Sequence, residues 1–132
     1  MNYELKMEEK EREIWVGKNR IYLSEANILC LTIFGEVDEE IEIGINEACF
    51  KLMNMIEGTV NVLIVLNKAK KTSTGARKRQ KVISEHEKNG KVALFGLHPV
   101  ARVIASFLMG TSREKDIRFF KTKEEALAWF KE

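Results

Sequence analysis

The chain has 132 residues, with a single proline, two cysteines and two histidines, and each scarcity excludes something. Two cysteines, Cys30 and Cys49, both set in apolar patterns, exclude a disulfide-built scaffold. Buried free thiols are the expected state, and a reducing cytoplasm is the expected compartment. No apolar run approaches the ~20 residues that a membrane-spanning helix needs. Met1-Asn2-Tyr3-Glu4 lacks the basic-then-apolar layout of a signal peptide. His86 and His98 have no Cys, His or carboxylate at ligand spacing, so no metal site is nominated. His98, ahead of the only proline, reads as a cap or surface residue. The phosphate-cradling pattern Gly-x-x-x-x-Gly-Lys-Ser/Thr is absent. So are a nucleophile-elbow motif and any signature of a cofactor.

What is present suits one domain. The hydrophobic share of 45% is enough for a core, and 32% charged residues suit a soluble surface. Ile14-Trp15-Val16 and Ile21-Tyr22-Leu23, separated by Gly17 to Arg20, predict a hairpin within an N-terminal segment ending at Asn27. Ile28 to Phe34 predicts a strand buried on both faces and stopped by Gly35. Asp38 is placed to cap a helix whose apolar stripe is Ile41, Ile45, Ala48, Leu52 and Ile56, closed by Gly58. Val60 to Leu66 predicts a central parallel strand. A polar helix follows from about Thr74 to Lys88, ended by Asn89-Gly90. Its clear apolar residues are Ala76, Val82 and Ile83, so it should pack loosely or lie at the sheet edge.

Lys91 to Gly96 predicts another strand. Pro99 opens a third helix carrying Val100, Val103, Ile104, Phe107 and Leu108, stopped by Gly110. Ile117 to Phe120 predicts the last strand, and Thr122 with Glu125 forms a capping box for the last helix. Three strands followed by alternating helices and strands predict an α/β domain with a mixed central sheet. Its later strands should be parallel, joined by right-handed crossovers, with about four helices packed on the sheet.

Charge is unevenly spread. The net charge is only +2. Yet Lys68 to Lys81 holds seven basic side chains and no acidic one, and Glu8 to Glu13 is the acidic counterweight. Inside the basic stretch, Thr72-Ser73-Thr74-Gly75 stands where a strand gives way to a helix. One hydroxyl there is enough for a cap. Arg77, Lys78, Arg79 and Lys81 enter the first turns of that helix, where each exposed cation costs roughly 0.3–1 kcal/mol against the dipole. A bound anion, a phosphate group or an acidic partner would offset that repulsion. The candidate partner- or anion-binding residues are therefore Lys70, Lys71, Thr72, Ser73, Thr74, Gly75, Arg77 and Lys78. The cluster lacks interleaved aromatics and the total charge is small, which argues against nucleic acid.

Four steps in order carry a family resemblance. Gly35-Glu36-Val37-Asp38 after a strand resembles the Gly-Glu-Leu-Asp step of STAS domains, the sulfate-transporter and anti-sigma-factor-antagonist modules. Thr72-Ser73-Thr74-Gly75 resembles their Asp-Ser-Ser-Gly phosphorylation motif. His98-Pro99-Val100 resembles their Ser-Pro-x-Val step. Ile117 to Phe120 followed by Glu124 to Leu127 resembles their closing strand and helix, and that of SpoIIAA-like relatives. The resemblance covers roughly Ile28 to Phe130. It implies a STAS or SpoIIAA-like single domain over 1–132 that regulates by protein binding and has no catalysis. It also implies a protein partner such as an anti-sigma factor kinase, and phosphorylation at Ser73. Thr72 departs from the family's aspartate, and Ala76 to Arg79 from its apolar residues, so the fold carries over better than the switch. A second reading stays open: a small-molecule binder at the same helix start, taking a carboxylate, a lipid-like acid or a nucleotide phosphate, with no phospho-switch. No set of convergent titratable residues nominates an enzyme.

Overall fold

A computed structural model of the chain describes residues 7–84, 86–96, 99–111 and 116–132. Among them, seven strands lie side by side in chain order. Strands β1 (Met7–Lys10), β2 (Glu13–Val16), β3 (Asn19–Leu23) and β4 (Leu29–Val37) form an antiparallel meander. Strands β5 (Val60–Thr72), β6 (Asn89–Phe95) and β7 (Ile117–Phe120) then run parallel to β4. The intervening helices are α1 (Glu39–Met53), α2 (Thr74–Ser84) and α3 (Pro99–Thr111), and α4 (Lys123–Phe130) ends the chain.

The strand period of two divides the core. Leu29, Leu31 and Ile33 of β4, Val62 and Leu66 of β5, and Val92 and Leu94 of β6 meet α1, Ala76 of α2, and α3 on one face. Cys30, Leu63, Ala93 and Phe95 point the other way, to Ala126 and Trp129 of α4. The three central strands are thus apolar on both faces, as the continuous run Val60 to Leu66 requires. Both cysteines are buried free thiols.

Caps appear where the sequence puts them. Asp38 Oδ1 accepts the Ile41 N–H at 2.9 Å, and Thr122 Oγ1 accepts the Glu125 N–H at 3.2 Å. The hairpin turns through Gly17-Lys18, with Gly17 at φ 61°, where glycine is favoured.

Five expectations need correction. Strand β1 was hidden in the charge-rich Glu8 to Glu13 stretch, where no apolar alternation marks it. Gly35 does not end β4; at φ 72° it lies among the register shifts by which β4 continues to Val37 beside Thr72. Gly58, at φ 80°, lies beyond α1, whose cap is Asn54. Helix α2 ends at Ser84, not Lys88, because Asn89 is drawn into β6 opposite Val60. A Cβ on Gly90 would fall 2.5 Å from Asn61 Oδ1, which accepts the Lys91 N–H, so this glycine serves strand packing. Finally, α3 continues through Gly110 to Thr111, and Val103 is 62% exposed instead of buried. His98 lies outside the described residues.

Candidate functional site

The basic stretch is mostly strand. Thirteen residues make up β5, but β6 pairs with it only as far as Val65 opposite Phe95. On its other side β4 accompanies it to Thr72. Lys68, Lys70 and Lys71 are exposed on this extension, and Ala69 and Thr72 turn inward.

Ser73 is the hinge between strand and helix. Its N–H donates to Val37 O at 3.0 Å, its carbonyl accepts the Arg77 N–H at 3.0 Å, and Oγ accepts the Ala76 N–H at 3.1 Å. Ser73 is therefore the cap of α2. Thr74 and Lys78 are exposed, Arg77 is half-buried, and Gly75 lies under α1. A Cβ on Gly75 would meet Glu39 Oε2 at 2.9 Å. That carboxylate also stands 3.9 Å from Arg79, a half-exposed pair that adds little stability. Among the described residues no carboxylate pairs with Lys68, Lys70, Lys71 or Lys78. Of the eight predicted site residues, seven gather around the helix start facing outward or sideways. Thr72 is the exception, since it is 7% exposed and points into the interior.

What Thr72 points into was not anticipated. A cavity of about 60 Å³ lies between the sheet and the helices, walled by Leu29, Leu31, Ile45, Val62, Ile64 and Ile104 among others. Helix α2 has α1 and α3 as its principal neighbours, not a strand, which leaves this space beneath it. Four polar side chains join the wall: Glu42, Thr72, Gln80 and Asn89. Glu42 is 3% exposed, and Gln80 Nε2 donates to its Oε1 at 2.9 Å. Burial pushes its carboxyl up to about 8, with the Gln80 hydrogen bond pulling the other way, so near neutral pH it is mostly protonated. Thr72 Oγ1 and Gln80 Oε1 are buried with no hydrogen-bond partner. Each such group costs roughly 1–3 kcal/mol. A groove of about 420 Å³ at the surface shares Thr72 and Ile104 with the cavity and is lined also by Lys71, Arg77 and Val103.

Glu42 was legible in principle. It lies three residues before Ile45 and seven before Cys49, inside the apolar face of α1. Gln80 offered no such signal.

Other titratable groups have structural roles. His86 Nδ1 accepts the Lys88 N–H at 3.1 Å, and its ring packs 5.0 Å from Phe50. Burial pushes the Cys30 and Cys49 thiols up, and Glu42 adds to the effect on Cys49, which suits inert side chains. Among the described residues, no three His, Cys, Asp or Glu side chains gather to hold a metal, and no helix is long and apolar enough to cross a membrane.

A mixed sheet with three crossover helices on one face and a terminal helix on the other, capped at the β5–α2 step by a serine, defines an α/β domain of the SpoIIAA-like class. The family's sequence profile matches residues 28–131, and the chain belongs to the SpoIIAA-like family. Among solved structures it is similar to an uncharacterised protein with a SpoIIAA-like fold from Shewanella loihica PV-4. Identity there is 16% over 84% of this chain and 90% of that one, with a TM-score of 0.65. It is also similar to the anti-sigma factor antagonist SpoIIAA in its unphosphorylated form, at 12% identity, 86% and 97% coverage and a TM-score of 0.54. At these identities the likeness is one of fold. No curated protein matches the chain.

Proposed function

We propose that the chain is a non-enzymatic regulatory module that binds a protein partner at the basic end of β5 and the first turn of α2, in the manner of an anti-sigma factor antagonist. One observation carries this reading. Lys68, Lys70, Lys71 and Lys78 stand exposed around one helix start without a carboxylate partner among the described residues. Lysines on a strand end also discourage edge-to-edge pairing, which accounts for those on β5. It does not account for Lys78 in the first turns of α2, where a cation opposes the dipole. An acidic surface on the partner offsets both.

Ser73 is the proposed phospho-acceptor, with Thr74 and Gly75 beside it. A kinase partner would transfer the γ-phosphoryl group of ATP to Oγ: the Oγ–P bond forms as the bond to the β-phosphate breaks, ADP leaves, and the hydroxyl proton passes to a base of the kinase. The product adds about −1.5 to −2 charges at a helix N-terminus, next to Lys70, Lys71, Arg77 and Lys78. That cancels up to about half of the charge of these four cations and sets a phosphate against an acidic partner, which is released. The family's aspartate position is Thr72, which is turned away from solvent. A kinase acting here would therefore read the lysines instead.

The test is affinity capture from cells with wild type, a Lys70→Glu/Lys71→Glu variant, Ser73→Asp and Ser73→Asn. Asparagine and aspartate both cap helices well, so the fold is held constant while charge and phosphorylation change. The expected result is a partner kept by wild type and Ser73→Asn and lost from the other two. Identical captures from all four would overturn the reading. A phosphate-affinity gel in which Ser73→Asn keeps every shifted band would remove Ser73 as acceptor.

A further inference from the structure

The two faces of the sheet are covered unequally. On one, α1, α2 and α3 pack over the strands, and on the other α4 rests on β6 and β7. The α4 cluster reaches Cys30 and Leu63, with Tyr22 and Val65 packed at its rim. Trp15 of β2, Arg20 of β3 and Phe34 of β4 lie beyond that rim. Strand alternation turns them to this face, because Ile14, Val16, Ile21 and Ile33 fill the opposite core. Lys68 and Lys70 flank the buried Ala69 and share the face. In register, Trp15 stands across from Arg20, and Phe34 from Lys68.

This arrangement is invisible in chain order. Along the sequence the lysines of β5 have no aromatic neighbours, which argued against nucleic acid, but the sheet supplies them. Phe34 is 42% exposed, and Lys18 of the hairpin turn holds its ammonium 5.2 Å from the ring centre. Trp15 is half-buried, and its indole N–H donates to Glu13 Oε1 at 2.6 Å, which fixes the ring. Glu13 Oε2 accepts from Arg20 Nη2 at 2.7 Å, so this carboxylate is held within the face. Lys18, Lys68 and Lys70 have no carboxylate partner among the described residues. They outnumber the exposed Glu36, two residues beyond Phe34.

An acidic peptide would meet the lysines and leave the two rings in water. An apolar partner would cover the rings and strand the lysines. A single strand of nucleic acid meets both, with phosphates on cations and base faces on rings. Trp15 and Phe34 lie two strands and two residues apart, on the order of 12 Å. A few nucleotides span that distance at the ~3.4 Å rise of a stacked strand. A duplex keeps its bases stacked on one another and has no faces to offer.

We infer that the open sheet face of β2 to β5 binds single-stranded nucleic acid, its bases stacking on Phe34 and Trp15 and its backbone passing Lys18, Lys68 and Lys70. This goes beyond the partner reading, which shares Lys68 and Lys70 but not the rings. The two fail separately, because the test below needs no partner protein and the capture experiment needs neither ring.

The probes are fluorescein-labelled oligouridylate and oligothymidylate of about twelve nucleotides, titrated with the full chain and read by anisotropy. Saturable binding is expected for at least one, and the pair distinguishes RNA from DNA. Its logarithm should fall against log salt with a slope of roughly −2, from three lysines at about 0.7 each. Lys18→Ala and Lys68→Ala should each lower that slope by about 0.7, whereas Lys78→Ala, on α2, should leave it unchanged. Phe34→Ala and Phe34→Leu should both bind at least fivefold more weakly; the side chain is exposed, so both fold, and leucine keeps the apolar bulk without the π-face. Trp129 is 4% exposed, so quenching of tryptophan emission by unlabelled strand should come from Trp15 and vanish in Trp15→Phe. The inference is overturned by the absence of saturable binding of either strand, by equal binding of a duplex, by Phe34→Leu binding like wild type, or by quenching that survives Trp15→Phe. Polyglutamate competing as well as the unlabelled strand would also overturn it and assign the face to an acidic peptide.

Discussion

Glu42 makes the sharpest stability prediction. Its carboxyl is buried in α1 against an apolar cavity, and burial pushes it from the ordinary 4.5 up to about 8. Glu42 adds to the upward push on the Cys49 thiol, two helical turns further along α1 on the same side. From α2 the group facing Glu42 is the uncharged Gln80 amide. Between the two values the folded chain holds the proton and the unfolded chain does not. The native state then binds more protons, so stability falls as pH rises, by about 1.4 kcal/mol per pH unit. The contribution is complete below the unfolded value of 4.5 and is lost as pH passes about 8. From about pH 5 to about pH 7.5 the loss is roughly 3 kcal/mol, a large part of the ~5–15 kcal/mol that holds a domain together.

Glu42→Gln isolates this effect. The amide is neutral at every pH, nearly isosteric, and its oxygen can still accept from Gln80 Nε2. Urea unfolding of both proteins across this range is the assay. The variant should match wild type near pH 5 and exceed it by roughly 3 kcal/mol near pH 7.5. Other groups cancel in the difference. Glu13, for example, is held below its ordinary value by the Arg20 hydrogen bond, and its contribution is lost only as pH falls below 4.5. Parallel stability curves for the two proteins would refute the claim that Glu42 is buried and neutral.

The architecture was legible because its signals are local and repeated. Val60 to Leu66 is apolar at every position but one, and only a strand covered on both faces uses such a run. Asp38, Thr122 and the Gly17 turn announce themselves by residue type. The helix start at Thr74 was equally clear, because the capping hydroxyls of Thr72-Ser73-Thr74 stand just ahead of a helical pattern. What was not legible depends on distant residues meeting. The extension of β5 through Lys68, Lys70 and Lys71 is imposed by β4, whose continuation past Gly35 pairs with it. Nothing in a lysine-rich stretch signals a strand. Helix α2 stops at Ser84, short of the Asn-Gly dipeptide, which belongs to β6 and pairs at Asn89 with Val60. Thr72 looked like one of three equivalent hydroxyls, but strand alternation turns it inward while Ser73 caps the helix. The cavity needs α1, α2, α3 and the sheet together, so no window of sequence contains it.

Capping at Ser73 predicts that Ser73→Ala lowers stability by about 1 kcal/mol and Ser73→Asn by almost nothing, measured by urea unfolding. Equal losses would mean that Oγ does not hold the Ala76 N–H. Gly96→Ala should lower the melting temperature by several degrees, since the new Cβ would fall 2.6 Å from Ala101 Cβ and 3.2 Å from Leu66, and neither neighbour can move independently of its backbone. A neutral result would place Gly96 farther from Ala101 and Leu66 than the structure has it. Asn19 ties the hairpin to β4: it is 3% exposed, its Nδ2 donates to Val16 O at 3.0 Å, and its Oδ1 accepts the Phe34 N–H at 2.8 Å. Asn19→Ala strands a carbonyl and an amide together and should cost roughly 2–4 kcal/mol. Asn19→Asp keeps the acceptor for Phe34 but aims a carboxylate at the Val16 carbonyl. It should therefore be worse than alanine near neutral pH and recover as acid protonates it; an Asn19→Ala cost under about 1 kcal/mol would show instead that the two hydrogen bonds do not hold the hairpin to β4.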